Sequence, residues 1–369
     1  MDITGLLPKR PSYQQRVNPP LLNTGANGVD WYRTAHGCSV ASSQIDMSMA
    51  GDFSDLTRLL QSRPRPVLAS GEHRAIVGCG YVGSALIQQW RAQGHAISAT
   101  TRRASRLADL EARVDQAVLF DSESESNDLN FVNDIDVLVI SMAPTGQQQV
   151  DLEAYRSVFS RGIERLCRAI SERRSSTPLQ LIQLSSCGLY GDRGGAITTE
   201  QSKLDLSHPI NALLAGAEER LHALRDEQIS VCTLRLGGIY GPGREIPEWL
   251  LAAAGQRVER DGDHTPCWVH VDDVVQAVDL AAERQLNGVL NVVDDLALTK
   301  RAITDRLCEA TGCAPVWWAG SPRHDRVLDA SVSNAYAKGL GLRLHHPSMI
   351  DWYLSTRDAG EAQRPRSIS

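Results

Sequence analysis

Hydrophobic and polar positions divide the chain into two unlike parts near residue 70. Residues 1–70 are rich in Pro, Asn, Ser, Gly and Gln. They carry one helix-like stretch, Gly51 to Gln61, with Phe53, Leu56, Leu59 and Leu60 at helical spacing. Asp52 or Ser54 is placed to cap it. The run Arg63-Pro-Arg-Pro-Val67 then reads as a linker, because proline fixes φ and removes a donor. Residues 1–70 are expected to be an extension that either lies on the main domain or is partly disordered.

From residue 73 the pattern alternates strand and helix. Strands are expected at Arg74 to Val77, His95 to Thr100, Ala117 to Phe120, Asp136 to Ser141, Leu179 to Leu184 and Val231 to Leu236. Helices are expected at Tyr81 to Gln93, Ala104 to Arg113, Tyr155 to Glu172, residues 211–225 and Val274 to Glu283, the last capped by Asp272-Asp273. Val137-Leu138-Val139-Ile140 is a continuous apolar run, as in a parallel strand covered on both faces. The alternation implies an α/β fold, a Rossmann-like doubly wound parallel sheet. After residue 240 the regularity loosens. Segments 241–265 and 298–350 are expected to form a small C-terminal cap over the carboxyl edge of the strands, where ligands bind in such sheets. Residues 71–355 thus form the main domain and 356–369 a tail.

Composition narrows the function classes. The 369 residues carry a formal net charge of −6 with no basic stripe, which disfavours nucleic acid as a partner. Cysteines at 38, 79, 167, 187, 232, 267, 308 and 313 form no C-x-x-C pair and share no zinc-ligand spacing with histidine. No metal site is expected, and His270 and the His345-His346 pair read as structural. No stretch is apolar enough to span a membrane and no secretory leader opens the chain, so a cytoplasmic location is expected.

The chemistry begins at Gly78-Cys79-Gly80-Tyr81-Val82-Gly83, between the first strand and first helix. Gly78 permits the tight turn, Gly80 lets the backbone approach a pyrophosphate, and Gly83 lets helix and strand pack closely. The helix N-terminus adds unpaired N–H donors and a favourable dipole, so Tyr81 and Val82 belong to the same phosphate site. The second strand ends in Arg102-Arg103, where an acidic residue would bond a ribose 2′-hydroxyl. Two arginines there suit a 2′-phosphate, and hence NADP(H) over NAD(H), unless they are only solvated helix-start residues. Asp121, after the third strand, is placed to accept from an adenine amine or to serve a loop.

Five ordered motifs carry a family resemblance across about 73–355. They are Gly78 to Gly83, Ser185-Ser-Cys-Gly-Leu-Tyr-Gly191, Leu234-Arg-Leu-Gly-Gly-Ile-Tyr-Gly-Pro-Gly-Arg244, Val269-His-Val-Asp-Asp273 and Asn291-Val-Val-Asp-Asp295. Together they resemble the extended or atypical short-chain dehydrogenase/reductase superfamily, the NAD(P)-dependent epimerase/dehydratase group. The resemblance implies that Ala143 and Pro144 line the cofactor, that Leu236 to Ile239, Gly238 included, pass near the nicotinamide, and that Ser186 holds the substrate oxygen. A hydroxyl at Ser186 can donate to a carbonyl or developing alkoxide. Arg244 is placed either to meet an anionic substrate group or to hold its turn. The superfamily's Tyr-x-x-x-Lys pair should follow on the next helix. Anchored on Glu218, those positions hold Ile210 and Leu214; anchored on Glu219, they hold Asn211 and Ala215. None of these is Tyr or Lys, and none can transfer a proton as that pair does. Tyr190, Lys203, His208 and Tyr240 are the nearby replacements in sequence, with Tyr190 the named catalytic candidate beside Ser186.

The expected function is an NADP(H)-dependent oxidoreductase or epimerase-like enzyme acting on a small metabolite. The alternative is a catalytically silent NADP(H)-binding sensor or scaffold. A nucleotide-sugar epimerase is a third reading, which the arginines disfavour. The resemblance is compatible with a homodimer joined through two helices per subunit.

Overall fold

The computed structural model describes residues 71–124, 129–144, 151–320 and 327–362. The expected extension 1–70, its helix at 51–61 and the end of the tail lie outside the described residues. The core is a seven-stranded sheet of β1 (His73–Val77), β2 (Ala96–Thr101), β3 (Gln116–Leu119), β4 (Val137–Ile140), β5 (Leu179–Ser186), β6 (Ile229–Leu236) and β7 (Gly288–Val292). Every pairing is parallel and the spatial order is β3-β2-β1-β4-β5-β6-β7. The strand order reverses between β1 and β4, which opens a crevice at their carboxyl ends.

Strand periodicity of two explains the two cores. Ile76, Val139 and Ile182 face one layer of helices, α1 (Tyr81–Ala92) and α2 (Val271–Glu283), through Leu86, Trp90, Val274 and Val278. Their alternates Ala75, Val77, Leu138, Ile140 and Leu181 face the other layer, where Ile163, Leu166, Ile210 and Leu221 pack. Asp279 of α2 accepts from the Arg74 guanidinium and from Trp90 Nε1, each at 2.8 Å, and so fastens both elements to β1.

Several boundaries differ from the expected ones for physical reasons. Residues 104–113 hold only a 3₁₀ turn and a short helix, Leu107–Glu111. The long helix after β4 contains a π-helical turn at Ser157–Gly162. β7 escaped the periodicity reading, since Val289 and Leu290 are its only adjacent apolar pair and its identity comes from pairing with β6. The cap of α2 is His270, not Asp272 or Asp273: its Nδ1 accepts the Asp272 N–H at 3.2 Å. The buried Asp273 instead accepts the backbone N–H groups of His345 and His346.

Past β6, the helices Ile246–Leu251, Lys300–Thr311 and Met349–Ala362 share a separate apolar cluster that includes Tyr240, Leu250, Ile303, Leu307 and Trp352. Three further short parallel pairs join Gly238–Tyr240 to Trp268–His270, Arg257–Val258 to Trp317–Trp318, and Asp192–Thr198 to Asp329–Val332.

Candidate dinucleotide-binding cleft

A cleft of about 490 Å³ lies at the sheet's switch point. Its floor is the glycine turn. Gly78 has φ +95°, and a Cβ there would come within 2.9 Å of Met142 N and Ser141 O at the end of β4. A Cβ on Gly83 would meet Gly78 O at 3.2 Å and Ile76 at 3.3 Å, so this glycine sets the approach of α1 to β1. A Cβ on Gly80 would meet nothing within 4 Å, so the cradle is open above it. Gly80 is also the N-cap of α1, and no side chain caps the helix and no acid occupies its first turn. The first-turn amides of Tyr81, Val82 and Gly83 therefore have no partner from within the helix, and Tyr81 and Val82 line the cleft, a space suited to a diphosphate.

The cleft wall beside β2 carries Thr100, Thr101, Arg102, Arg103 and Arg106. The three arginines are exposed, and none takes part in an ion pair among the described residues. Phe120, Ser122, Tyr155, Val158 and Phe159 line the same cleft, the last two from the π-helical turn. The Tyr155 and Phe159 rings stack with centroids 5.7 Å apart. Ser141 to Pro144 and Leu184 to Ser186 bring in the ends of β4 and β5, and Leu236, Ile239 and Arg244 close the far side.

Most of the residues named from sequence meet here. Gly78, Gly80, Tyr81, Val82, Arg102, Arg103, Ala143, Pro144, Ser186 and Leu236 all line the cleft. Ser186 is half-buried, and its Oγ accepts the Gly188 N–H at 3.0 Å, which fixes the hydroxyl while leaving its own O–H to be donated. Arg244 stands 6.0 Å from the Tyr81 ring centroid, so its guanidinium is held over an aromatic face. Cys79 is a buried lining residue whose thiol is pushed up by burial.

Four named residues lie elsewhere. Gly83 packs beneath the turn. Asp121 is outside the lining; its side chain accepts the Glu123 N–H and its carbonyl accepts from Arg165. Gly238 is pressed against Trp268, where a Cβ would meet the indole at 2.7 Å. Tyr190, the catalytic candidate, is wholly buried away from the cleft. Its hydroxyl donates to Asn291 at 2.7 Å and accepts from Arg235 at 3.0 Å, and burial pushes its pKa up to about 12. Such a phenol bonds the interior together and meets no substrate. The other acids considered fare alike. His208 caps its helix through Nδ1, Tyr240 is buried with its hydroxyl on the His346 carbonyl, and Lys203 is exposed outside the lining.

Sequence reasoning missed Arg106, Tyr155, Phe159 and Leu214 as lining residues. Arg106 was within reach, being one helical turn beyond Arg102-Arg103; the aromatic pair carried only a core-like signal. It also missed a meeting of His270, Asp272 and His346, whose ligand atoms lie within 4.8 Å of one another. His346 arrives from a segment remote in the chain, so spacing along the sequence carried no sign of this meeting.

A parallel sheet with the 3-2-1-4-5-6-7 order and an open glycine cradle at its switch point defines a dinucleotide-binding Rossmann protein. The profile of the NAD dependent epimerase/dehydratase family matches residues 75–292, and the chain belongs to that family. It is 30% identical over 289 residues to Protein YeeZ of Escherichia coli strain K12, an alignment covering 75% of this chain and 97% of that protein. It is 28% identical over 227 residues to the 3-diazoavenalumate denitrifying reductase of a Streptomyces species, covering 58% of this chain and 73% of the reductase. Among solved structures, it resembles a mutant UDP-glucuronic acid 4-epimerase from Bacillus cereus, held in complex with a UDP-sugar analogue and NAD. The TM-score is 0.62 at 17% identity, covering 79% of this chain and 100% of the epimerase. No helix among the described residues is long and apolar enough to cross a membrane.

Proposed function

We propose that this chain is an NADP(H)-dependent oxidoreductase that reduces a carbonyl or imine of a small metabolite without the family's Tyr-x-x-x-Lys pair. The observation that carries the cofactor choice is the trio Arg102, Arg103 and Arg106, exposed at the cleft wall beside β2 and in no ion pair among the described residues. A ribose 2′-phosphate there gains charge-assisted hydrogen bonds that a 2′-hydroxyl cannot match. The aromatic wall of Phe120, Tyr155 and Phe159 suits the adenine, and the α1 amides suit the diphosphate.

The buried pair of Glu218 and Arg235 favours Glu218 as the anchor of the family register, which puts Ile210 and Leu214 at the Tyr and Lys positions. Leu214 lines the cleft where the lysine would reach in. The dinucleotide, when bound, supplies the hydride. Ser186 holds the substrate oxygen by donating its hydroxyl, and the proton that completes the alcohol or amine comes from solvent through that hydroxyl. Segment 241–265 and the described residues of 298–350 act as the substrate cap, with Arg244 reaching the cleft lining. The apolar Leu214 is also what a silent NADP(H) sensor would show, so turnover decides between the two readings.

The test is NADPH oxidation by the full chain against a panel of carbonyls, imines and nucleotide sugars. Turnover is expected with at least one compound, and Ser186→Ala is expected to lower kcat/KM by about 10²-fold with NADPH affinity unchanged. Tight NADPH binding without turnover across the panel sinks the enzyme reading in favour of the sensor.

A further inference from the structure

Outside the cleft, His270, Asp272 and His346 form a compact group of three donors from two segments. His270 Nδ1 lies 3.6 Å from Asp272 Oδ2, and His346 Nε2 lies 3.5 Å from the same oxygen. Ligands held about 2.0–2.2 Å from a tetrahedral ion are spaced by roughly 3.4 Å, so both separations fit one ion between them. We propose that these three side chains bind a divalent transition metal ion, Zn²⁺ by its preference for a two-imidazole, one-carboxylate set with a solvent-facing fourth position.

His346 is held in place before any ion arrives. The Asp273 carboxylate accepts the His346 N–H at 3.1 Å and the His345 N–H at 2.6 Å, while the Tyr240 hydroxyl donates to the His346 carbonyl at 3.2 Å. His346 is thus pinned at both ends of its backbone beside the start of α2. The His270 ring is fixed between Tyr240 and Trp352, each with its centroid 5.2 Å away, and stands 3.8 Å from the His346 ring. Its bond from the Asp272 N–H sets the tautomer, since an accepting Nδ1 leaves the proton on Nε2. Ion binding at Nδ1 therefore exchanges the His270 helix cap for a metal bond and releases the Asp272 N–H. His270 Nε2 is buried and has no hydrogen-bond partner among the described residues, so the cap bond at Nδ1 is the ring's hydrogen bond there. A cation at a helix N-terminus is disfavoured by the dipole, and Asp272 and Asp273 in the first turn offset this.

Asp272 is the exposed member and opens onto a groove shared with Tyr81, Ser84, Gln88 and Arg113, which gives the ion a path from solvent. Because His346 and His270 belong to different segments, the bound ion clamps the chain leading into Met349–Ala362 onto the start of α2. The ion therefore stabilises the fold and stays out of the reaction.

The test uses the untagged full chain freed of metal with a chelator. Titration with Co²⁺ is expected to saturate at one equivalent, giving a weak visible d–d spectrum without a thiolate charge-transfer band, and Zn²⁺ should displace it. Zn²⁺ should also raise Tm. Asp272→Asn and His346→Gln should each weaken Co²⁺ binding by at least about tenfold and remove the Tm rise. Cys313→Ser, a change at the exposed cysteine, should leave both unchanged. Absence of Co²⁺ uptake by the parent chain overturns the proposal. So does a spectrum dominated by thiolate ligation, or undiminished binding in both variants that retain the parent's metal-free Tm.

Discussion

Gly78 and Gly80 stand two residues apart in one turn and constrain it in opposite ways. Gly78 combines φ +95° with backbone atoms of Ser141 and Met142 at 2.9 Å from where a Cβ would sit. Gly78→Ala should therefore cost about 1–3 kcal/mol of stability, read as a lower midpoint in denaturant. Gly80→Ala, with nothing within 4 Å of its Cβ, should leave that midpoint nearly unchanged and weaken dinucleotide binding instead. If both substitutions destabilised the fold equally, the open cradle above Gly80 would be refuted. Residues of this kind were legible in the sequence because turn, helix start and strand end are neighbours along the chain. Tyr190 was not, since its burial is decided by Arg235 on β6 and Asn291 on β7. His346 was hidden for the same reason, its neighbours being chosen by the fold.

At the scale of elements, the layer between β5, β6 and the helix Pro209–His222 is joined by a buried polar chain. Ser185 donates to Glu218 at 2.5 Å, Glu218 pairs with Arg235 at 2.7 Å, and Arg235 reaches Tyr190, which donates to Asn291. Each link lies at or under a tenth exposure, so no water stands ready to replace a lost partner. Arg235→Met should then destabilise the fold by about 3–5 kcal/mol by stranding the Glu218 charge, and adding Glu218→Gln should recover part of that loss. A double variant no more stable than the single one would show that the pair does not act as a unit. The alternation of strands and helices up to β6 could be read from periodicity, because each strand there is a run of apolar residues between turn signals. β7 and the minor pairs could not, since β7 holds only one adjacent apolar pair, the minor strands carry no clear apolar pattern, and both are identified by their pairing partners.

For the molecule as a whole, Asp294 links stability to pH. It follows β7, its Oδ1 accepts the Leu296 N–H at 3.1 Å, and its Oδ2 has no hydrogen-bond partner among the described residues. Burial pushes its pKa up to about 8 from an ordinary 3.8. The folded state thus holds a proton that the unfolded chain releases. The contribution to stability is complete below about pH 4 and is lost as pH rises toward 8. Asp294→Asn, which stays neutral, should flatten this decline and exceed the parent's stability at pH 8 by a few kcal/mol on an order-of-magnitude basis. Parallel Tm-versus-pH curves for the two chains would contradict it.

The cofactor claim concerns the molecule's central cleft and is tested most directly by calorimetric titration of the full chain with NADPH and with NADH at one ionic strength. The parent is expected to bind NADPH more tightly, and Arg102→Ala with Arg103→Ala to weaken NADPH by roughly tenfold or more while NADH changes little. Equal affinities in the parent, or equal losses for both dinucleotides in the variant, would contradict the assignment of these arginines to a 2′-phosphate.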